Sequence, residues 1–412
     1  MVSWTYSALC VAPLATSCCD AADPTDKDGG SPVCAMIAGR MVPPTHIAVV
    51  GPIAGGSLSI AESCVRALRR LGHRVTFVDN QGYAPALKAI DAATPDAGAR
   101  ASARVDLFLA ASDATRRALR EARPQLALFL AQAPVVRDSD LDDLRAANIP
   151  SVFWFVEDFR VFTYWPSAVR RFDHVWTIQR GELHQRLAAA GHPSFDYVPT
   201  GCDPELHHPY APDETRAYAA AVSFAGSAYP NRRKLLSELS SLGVDDEASA
   251  APGSPPAFRL WGPRFSREPA LAAAAAAGLD GDVPHAILAR IFSATAINLN
   301  LSSSAAPETF AIPKDLVNPR TFEIAGCGGF QLAESLIPVD EFFEPGCEIE
   351  TFTSLAEARD KLRYYRAHEP ARRAIAEAGH RRAHAEHTYD RRLAAALARL
   401  AARDDRVRGS IR

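Results

Sequence analysis

Nowhere in these 412 residues does an apolar run approach the roughly 18 residues that a membrane-crossing helix requires. That absence excludes a membrane span and makes a soluble chain the expectation. An excess of charge is missing too. Lys and Arg total 45 against 48 Asp and Glu, a formal net charge of −3. Nucleic acid is thereby excluded as the main partner, because a phosphate-tracking surface needs clustered cations. The basic cluster near the end (Arg372, Arg373, Arg381, Arg382, Arg391, Arg392) is interleaved with Ala and Glu at helical spacing, as on a solvated helix face. The eight cysteines lack any zinc-like spacing. Cys64, Cys202, Cys327 and Cys347 are scattered, which fits single buried thiols in a reducing cytoplasm. Cys10, Cys18, Cys19 and Cys34 fall in the first forty residues, where "SALCVAPLATSCCDAADP" has no Lys or Arg before Lys27. It therefore lacks the basic region of a secretion signal. Residues 1–44 are expected to form an extension outside the fold, whose body begins near Met41.

What is present is an ordinary globular composition, 48% apolar and 23% charged, in a chain long enough for two domains. "THIAVVGP" reads as a strand, "IAGGSLSIAESCVRALRRLGH" as a glycine loop and helix, and "RVTFVDN" as a second strand ending in Asp79. This unit opens a doubly wound α/β domain. "VDLFLAAS", "PQLALFLAQAP", "SVFWFVED", "HVWTIQ" and "FDYVPTG" continue it as strand candidates, with helical pieces such as "SDLDDLRAANI" and "GELHQRLAAAG" between several of them. Alternation of this kind favours a parallel sheet. The apolar pattern lapses around Pro204, Pro209 and Pro212, which reads as an inter-domain connection. A second series follows: "AVSFAGS", "FRLWGPR", "TAINLNLSS", "GGFQLAE" and "EIETFTS", with "GVDDEASAAPGSPPA" as a surface loop. From Leu355 to about Arg403 the chain is expected to be mostly helical, with a break near Pro370. The expected domains are 45–212 and 213–385, with a C-terminal helix over 386–404. Ligands of such folds bind at the carboxyl ends of the strands, so a cleft between the domains is the place for a site.

Five places carry candidate chemistry. The loop Gly51-Pro-Ile-Ala-Gly55-Gly56 is either a plain strand-to-helix turn or a backbone approach to a polar ligand at a helix start. It departs from G-x-G-x-x-G at the second glycine. Glu157 and Asp158, after the "FWFV" strand and near Arg160, suit sugar hydroxyls or proton transfer, or else Asp158 is a helix cap. "FAGSAYPNRRK" sets Gly226 and Ser227 ahead of Arg232, Arg233 and Lys234 at a strand-to-helix junction, the cations and amides that a diphosphate needs. Cations in a first helical turn oppose the helix dipole unless an anion is bound, which favours the functional reading. His380, His384 and His387 share one helix face, but no carboxylate completes a metal site. Asn318 and Pro319 begin a helix carrying Glu323, followed by Gly326, Gly328 and Gly329; Asp315 precedes it. Taken alone, Glu323 reads as a carboxylate beside a helix start, and Asp315 as a loop cap.

Together these motifs resemble a known family. "NPRTFEIAGCGGFQLAE", "EFFEPGCEIETF" and "RRAIAEAGHRRAHAEHTYDRR" are similar to the CgeB-type, spore-maturation-protein-like glycosyltransferases, which carry a glycosyltransferase group 1-like C-terminal domain. "SFAGSAYPNRR" and "INLN" follow the same order, and "LFLAQAP", "FWFVEDFR" and "YVPTGCDPELHHP" resemble the accompanying N-terminal domain. The resemblance spans about Thr45 to Arg392. It implies a GT-B fold, two Rossmann-like doubly wound domains across a cleft. It also implies a nucleotide-diphosphate-sugar co-substrate, transfer with retention to a glycan, lipid or protein acceptor, and no metal or other cofactor. In that family an E-x7-E pair reads the donor. The second acid falls on Glu323, near the ribose; the first falls on Asp315, so this chain carries D-x7-E. The same resemblance puts Gly226, Ser227, Arg232, Arg233 and Arg320 at the donor, Gly55 and Gly56 at the inter-domain face, and the helix near Tyr389–Arg403 back on the N-terminal domain. Two rivals remain. One is a relative with weak or lost turnover that binds glycans, for which the Asp at 315 argues; the other is a dinucleotide dehydrogenase using Gly51–Asp79.

Overall fold

The computed structural model describes residues 45–130, 136–240, 255–304, 315–335 and 337–409. The N-terminal extension with its four cysteines, and most of the "GVDDEASAAPGSPPA" loop, lie outside the described residues. Six strands form the first sheet: β1 (His46–Val50), β2 (Arg74–Val78), β3 (Leu126–Leu130), β4 (Ser151–Phe155), β5 (His174–Thr177) and β6 (Phe195–Tyr197). Their order is β2-β1-β3-β4-β5-β6, and every pairing is parallel. Five make the second: β7 (Ala220–Ala225), β8 (Phe258–Trp261), β9 (Thr295–Asn300), β10 (Gln331–Glu334) and β11 (Glu350–Phe352). Their order is β11-β10-β9-β7-β8, again all parallel. The central strands are buried along their whole length, as in β3 (LALFL) and β4 (SVFWF), because helices cover both faces. These continuous apolar runs are what made the strands visible in the sequence.

One strand expectation fails. "VDLFLAAS" lies inside a 26-residue helix, Ala97–Ala122. A short apolar run is ambiguous by itself, and here the flanks decide. Asp96 caps the helix by accepting from the Ala99 amide at 2.6 Å, and Ala- and Arg-rich turns on both sides are strong helix formers. The residues it buries, Ala111, Ser112, Thr115 and Leu119, keep helical spacing.

The C-terminal region runs as helices Leu355–Ala367, Glu369–Glu386 and Tyr389–Arg403, so a second break joins the expected one near Pro370. That break has a cause. Cys202 and Thr388 form a parallel bridge, in which the Cys202 amide donates to the His387 carbonyl and the Tyr389 amide to the Cys202 carbonyl, both at 2.9 Å. The two inter-sheet crossings thus pair with each other. Gly201 permits it, since a Cβ there would stand 2.6 Å from the His387 oxygen. The helix Tyr389–Arg403 then packs Tyr389, Leu393, Leu397 and Leu400 into one apolar cluster with Val49, Leu68, Trp154 and Trp176 of the first sheet's layer. Arg70, on the helix Ser57–Arg70, ties the same junction by ion pairs to Asp203, Glu205 and Asp390. Among the described residues no helix is long and apolar enough to cross a membrane.

Candidate functional site

The carboxyl edges of the two sheets meet. Beyond β5, Gln179 bridges to Leu316 of the segment that leads into the helix Arg320–Gly326. Around this bridge the Gln179 side-chain amide donates to both Asp158 (3.2 Å) and Asp315 (2.9 Å), and Arg160 donates to both Asp315 oxygens at 2.9 and 3.3 Å. Asp158 and Asp315, expected to act in different halves of the chain, are therefore joined through Gln179 and Arg160. Burial raises the Asp315 carboxyl pKa, and the Arg160 and Gln179 hydrogen bonds overcome that and hold it below its usual value. No helix starts at Asp158. Its carboxylate accepts from the Arg160 amide at 3.0 Å in a tight turn, which corrects the helix-cap alternative. Glu157 is partly buried beside Tyr164.

A second cluster lies at the end of β7. Arg232 donates to the carbonyls of Leu301 (2.8 Å), Ser302 (3.0 Å) and Ser227 (3.2 Å), and has no carboxylate within ion-pair distance among the described residues. Burial lowers its pKa to about 10, with nearby Arg320 adding to the fall. Arg320 donates to the Ala225 carbonyl at 3.3 Å and pairs with Glu323. The two guanidiniums thus flank Gly226 and Ser227. A side chain at 226 would crowd this junction, since its Cβ would lie 3.0 Å from the Phe224 ring and 3.3 Å from Arg232. Ser227 offers a hydroxyl and an amide without protein partners among the described residues. The adjacent Arg233 turns elsewhere, to Glu268 at 2.8 Å and the Ala228 carbonyl at 3.2 Å. The joint expectation for the arginine pair is thus corrected. A helical side chain at the next position points about 100° around the axis, and this one follows the outer face.

Glu323 is 3% exposed, one turn into its helix. Burial pushes its pKa up, but Arg320, followed by His207 and His285, outweighs that and keeps it below the ordinary carboxyl value. The helix is capped as its sequence predicts: the Thr321 amide donates to Asn318 Oδ1 at 3.2 Å. Asn318 is itself held by the buried Asn300 of the "INLN" strand at 2.8 Å. The glycines behind Glu323 are structural. A Cβ on Gly326 would meet the Cβ atoms of Cys202 and His207 at 2.8 and 2.9 Å, so the helix could not seat against the crossing segment. Asp315 and Glu323 do not meet. One faces the first sheet and the other the strand ends of the second.

Gly55 and Gly56 are exposed at the start of the helix Ser57–Arg70, and a Cβ on Gly56 would meet open space. The three C-terminal histidines bind backbone instead of converging. His380 and His384 reach the Gly326 carbonyl, both at 3.0 Å, and His387 reaches the Phe342 carbonyl at 2.7 Å. They cap the carboxyl end of the Glu323 helix and brace its neighbourhood. Gln179, His207 and His285 escape sequence reasoning. His207 lies within "YVPTGCDPELHHP" and Gln179 and His285 in no quoted site motif, and the position of each comes from contacts across the fold.

Residues 232–398 match the model of a family described as glycosyl transferase-like. No curated protein matches the chain in sequence. Solved structures do match in fold. Sucrose-phosphate synthase from Thermosynechococcus elongatus aligns at 13% identity and a TM-score of 0.54, over 87% of this chain and 98% of its own. Anabaena HepE in complex with UDP and glucose aligns at 12% and 0.53, over 87% and 100%. α,α-Trehalose 6-phosphate synthase from Burkholderia multivorans aligns at 13% and 0.51, over 87% and 97%. The chain has the GT-B fold, two parallel-sheet units with apposed carboxyl edges, and residues 232–398 are similar to a glycosyl transferase-like family.

Proposed function

We propose that this protein is a glycosyltransferase that takes a sugar from a nucleotide-diphosphate donor bound at the end of β7. One observation carries the reading: Arg232 donates to three carbonyls with no carboxylate within ion-pair distance among the described residues, and Arg320, bonded to the Ala225 carbonyl, reaches the same loop. A diphosphate supplies that missing charge and fills the Ser227 donors. When the anomeric bond breaks, negative charge grows on the leaving phosphate. Cations already fixed there stabilise the transition state more than the ground state. Glu323 keeps its place as the ribose reader, with Asp158 and Glu157 on the acceptor side. The solved relatives that hold UDP and UDP-glucose support a nucleotide sugar as donor. The CgeB-like order of motifs and a retaining mechanism belong to the same proposal, as does a glycan, lipid or protein acceptor. No step requires a metal or cofactor.

One contact favours a second reading, a glycan-binding relative with little turnover. Asp315, the position that would read donor hydroxyls, is engaged by Arg160 and Gln179. Incubation with UDP-glucose and GDP-mannose, without acceptor, separates the two. Slow release of free nucleoside diphosphate supports the transferase. Binding of either nucleotide sugar without any release supports the binding protein.

A further inference from the structure

The donor site holds a polar group that its expected residues do not account for. His285 is the first residue of the helix His285–Ala294, directly after Pro284. That helix leads into β9 as the helix Arg320–Gly326 leads into β10, so the two run parallel and both begin at the carboxyl edge of the sheet. They pack side by side through Leu288, Ile291 and Phe292 against Ile324 and Cys327, and Arg320 lies over the Phe292 ring. His285 therefore stands level with the start of the Glu323 helix.

Neither His285 ring nitrogen has a hydrogen-bond partner among the described residues. Burial, ahead of the neighbouring charges, keeps the ring neutral, with a pKa lowered to about 4, so one nitrogen donates and the other accepts. Glu323 has one oxygen engaged by Arg320 and the other without a partner among the described residues. His207, the third group here, is already oriented. The Asp203 amide donates to its Nδ1 at 2.9 Å, which leaves the proton on Nε2. A carboxylate oxygen and a neutral imidazole on adjacent parallel helix starts, both unengaged among the described residues, match a vicinal diol, with the His207 Nε2 proton near Glu323 as a further donor. A diol entering a partly buried site needs a partner for each hydroxyl.

We propose that His285 is a second ribose-reading residue, binding the 2′-hydroxyl of the cis-diol while Glu323 accepts from the 3′-hydroxyl. The inference rests on the donor reading above. It makes the site selective for ribonucleotides over 2′-deoxyribonucleotides, because the deoxy analogue leaves one of these groups desolvated and unpaired.

The test is calorimetric titration with UDP, GDP and their 2′-deoxy counterparts. The wild type is expected to bind the better ribonucleotide about tenfold more tightly than its deoxy form, the effect of one lost hydrogen bond. His285→Ala should bring that ratio near one, chiefly by weakening the ribonucleotide, and His285→Gln should restore part of it. A merely structural histidine would weaken both ligands equally. A wild type that binds both forms alike, or an Ala variant that keeps the wild-type ratio, overturns the assignment while leaving the diphosphate site intact. A wild type that binds none of the four overturns the donor reading and this inference with it.

Discussion

Arg232→Ala should lower donor turnover by about 10²–10³-fold, the usual effect of deleting one fixed donor or cation aimed at developing charge. Nucleotide affinity should fall with it, since Arg232 faces a charge present in the ground state as well. The reasoning is geometric. Three carbonyls hold the guanidinium in place, so no reorganisation is needed when the leaving group forms. Arg232→Lys should recover only part of the loss, because an ammonium cannot span the Leu301, Ser302 and Ser227 carbonyls and still face an anion. Circular dichroism controls for folding, since the Ala variant removes one donor from each of three carbonyls, although Asn231 still serves Ser302 and the Tyr229 amide still serves Ser227. Arg233→Ala is the comparison that makes the test specific. With its side chain on Glu268, it should leave donor kinetics within about twofold, in line with the small effects of exposed ion pairs. If both variants lose activity equally, the diphosphate lies elsewhere than β7.

Leu393→Ala should destabilise the protein by about 2–5 kcal/mol, the range for emptying a buried leucine site. Leu393 is fully buried although it lies at the far end of the chain, because its helix fills the layer over β1 and β4 in company with Trp154 and Trp176. Spacing 389, 393, 397, 400 lays one apolar stripe on that layer. The loss should appear as a lower urea midpoint for the first-sheet unit, followed by tryptophan fluorescence, since Trp154 and Trp176 lie beside the cavity. Truncation before Tyr389 should be more damaging, exposing the same cluster at once. An unchanged midpoint for Leu393→Ala would mean that the helix Tyr389–Arg403 does not dock on the first sheet.

Much of this architecture was open to reading. Uninterrupted runs such as "LALFL" and "SVFWF" announce strands covered on both faces, and Pro204, Pro209 and Pro212 announce the crossing between units. The error at "VDLFLAAS" came from judging an apolar run without its alanine- and arginine-rich flanks. Local structure around the candidate site was legible where it follows chain order: the Asn318 cap, and the strand-to-helix junction that carries Gly226 and Arg232. It was illegible where chemistry depends on residues far apart in the chain. Arg160 and Asp315 are 155 positions apart, and nothing near either announces the other. The divergence of Arg232 and Arg233 is likewise invisible in "NRRK", since adjacent helical positions look identical until the packed face is known. His285 had no signal at all, being one histidine in "DVPHAIL".

The central claim is that the carboxyl edge of the second sheet holds a nucleoside diphosphate between Arg232, Arg320 and Glu323. Isothermal titration of UDP and GDP into the wild type and Glu323→Ala tests it most directly. The account predicts saturable one-site binding of at least one nucleotide by the wild type, and a loss of tenfold or more in Glu323→Ala, about 1.4 kcal/mol or more. Binding of neither nucleotide by the wild type, or equal affinity in the variant, would contradict it.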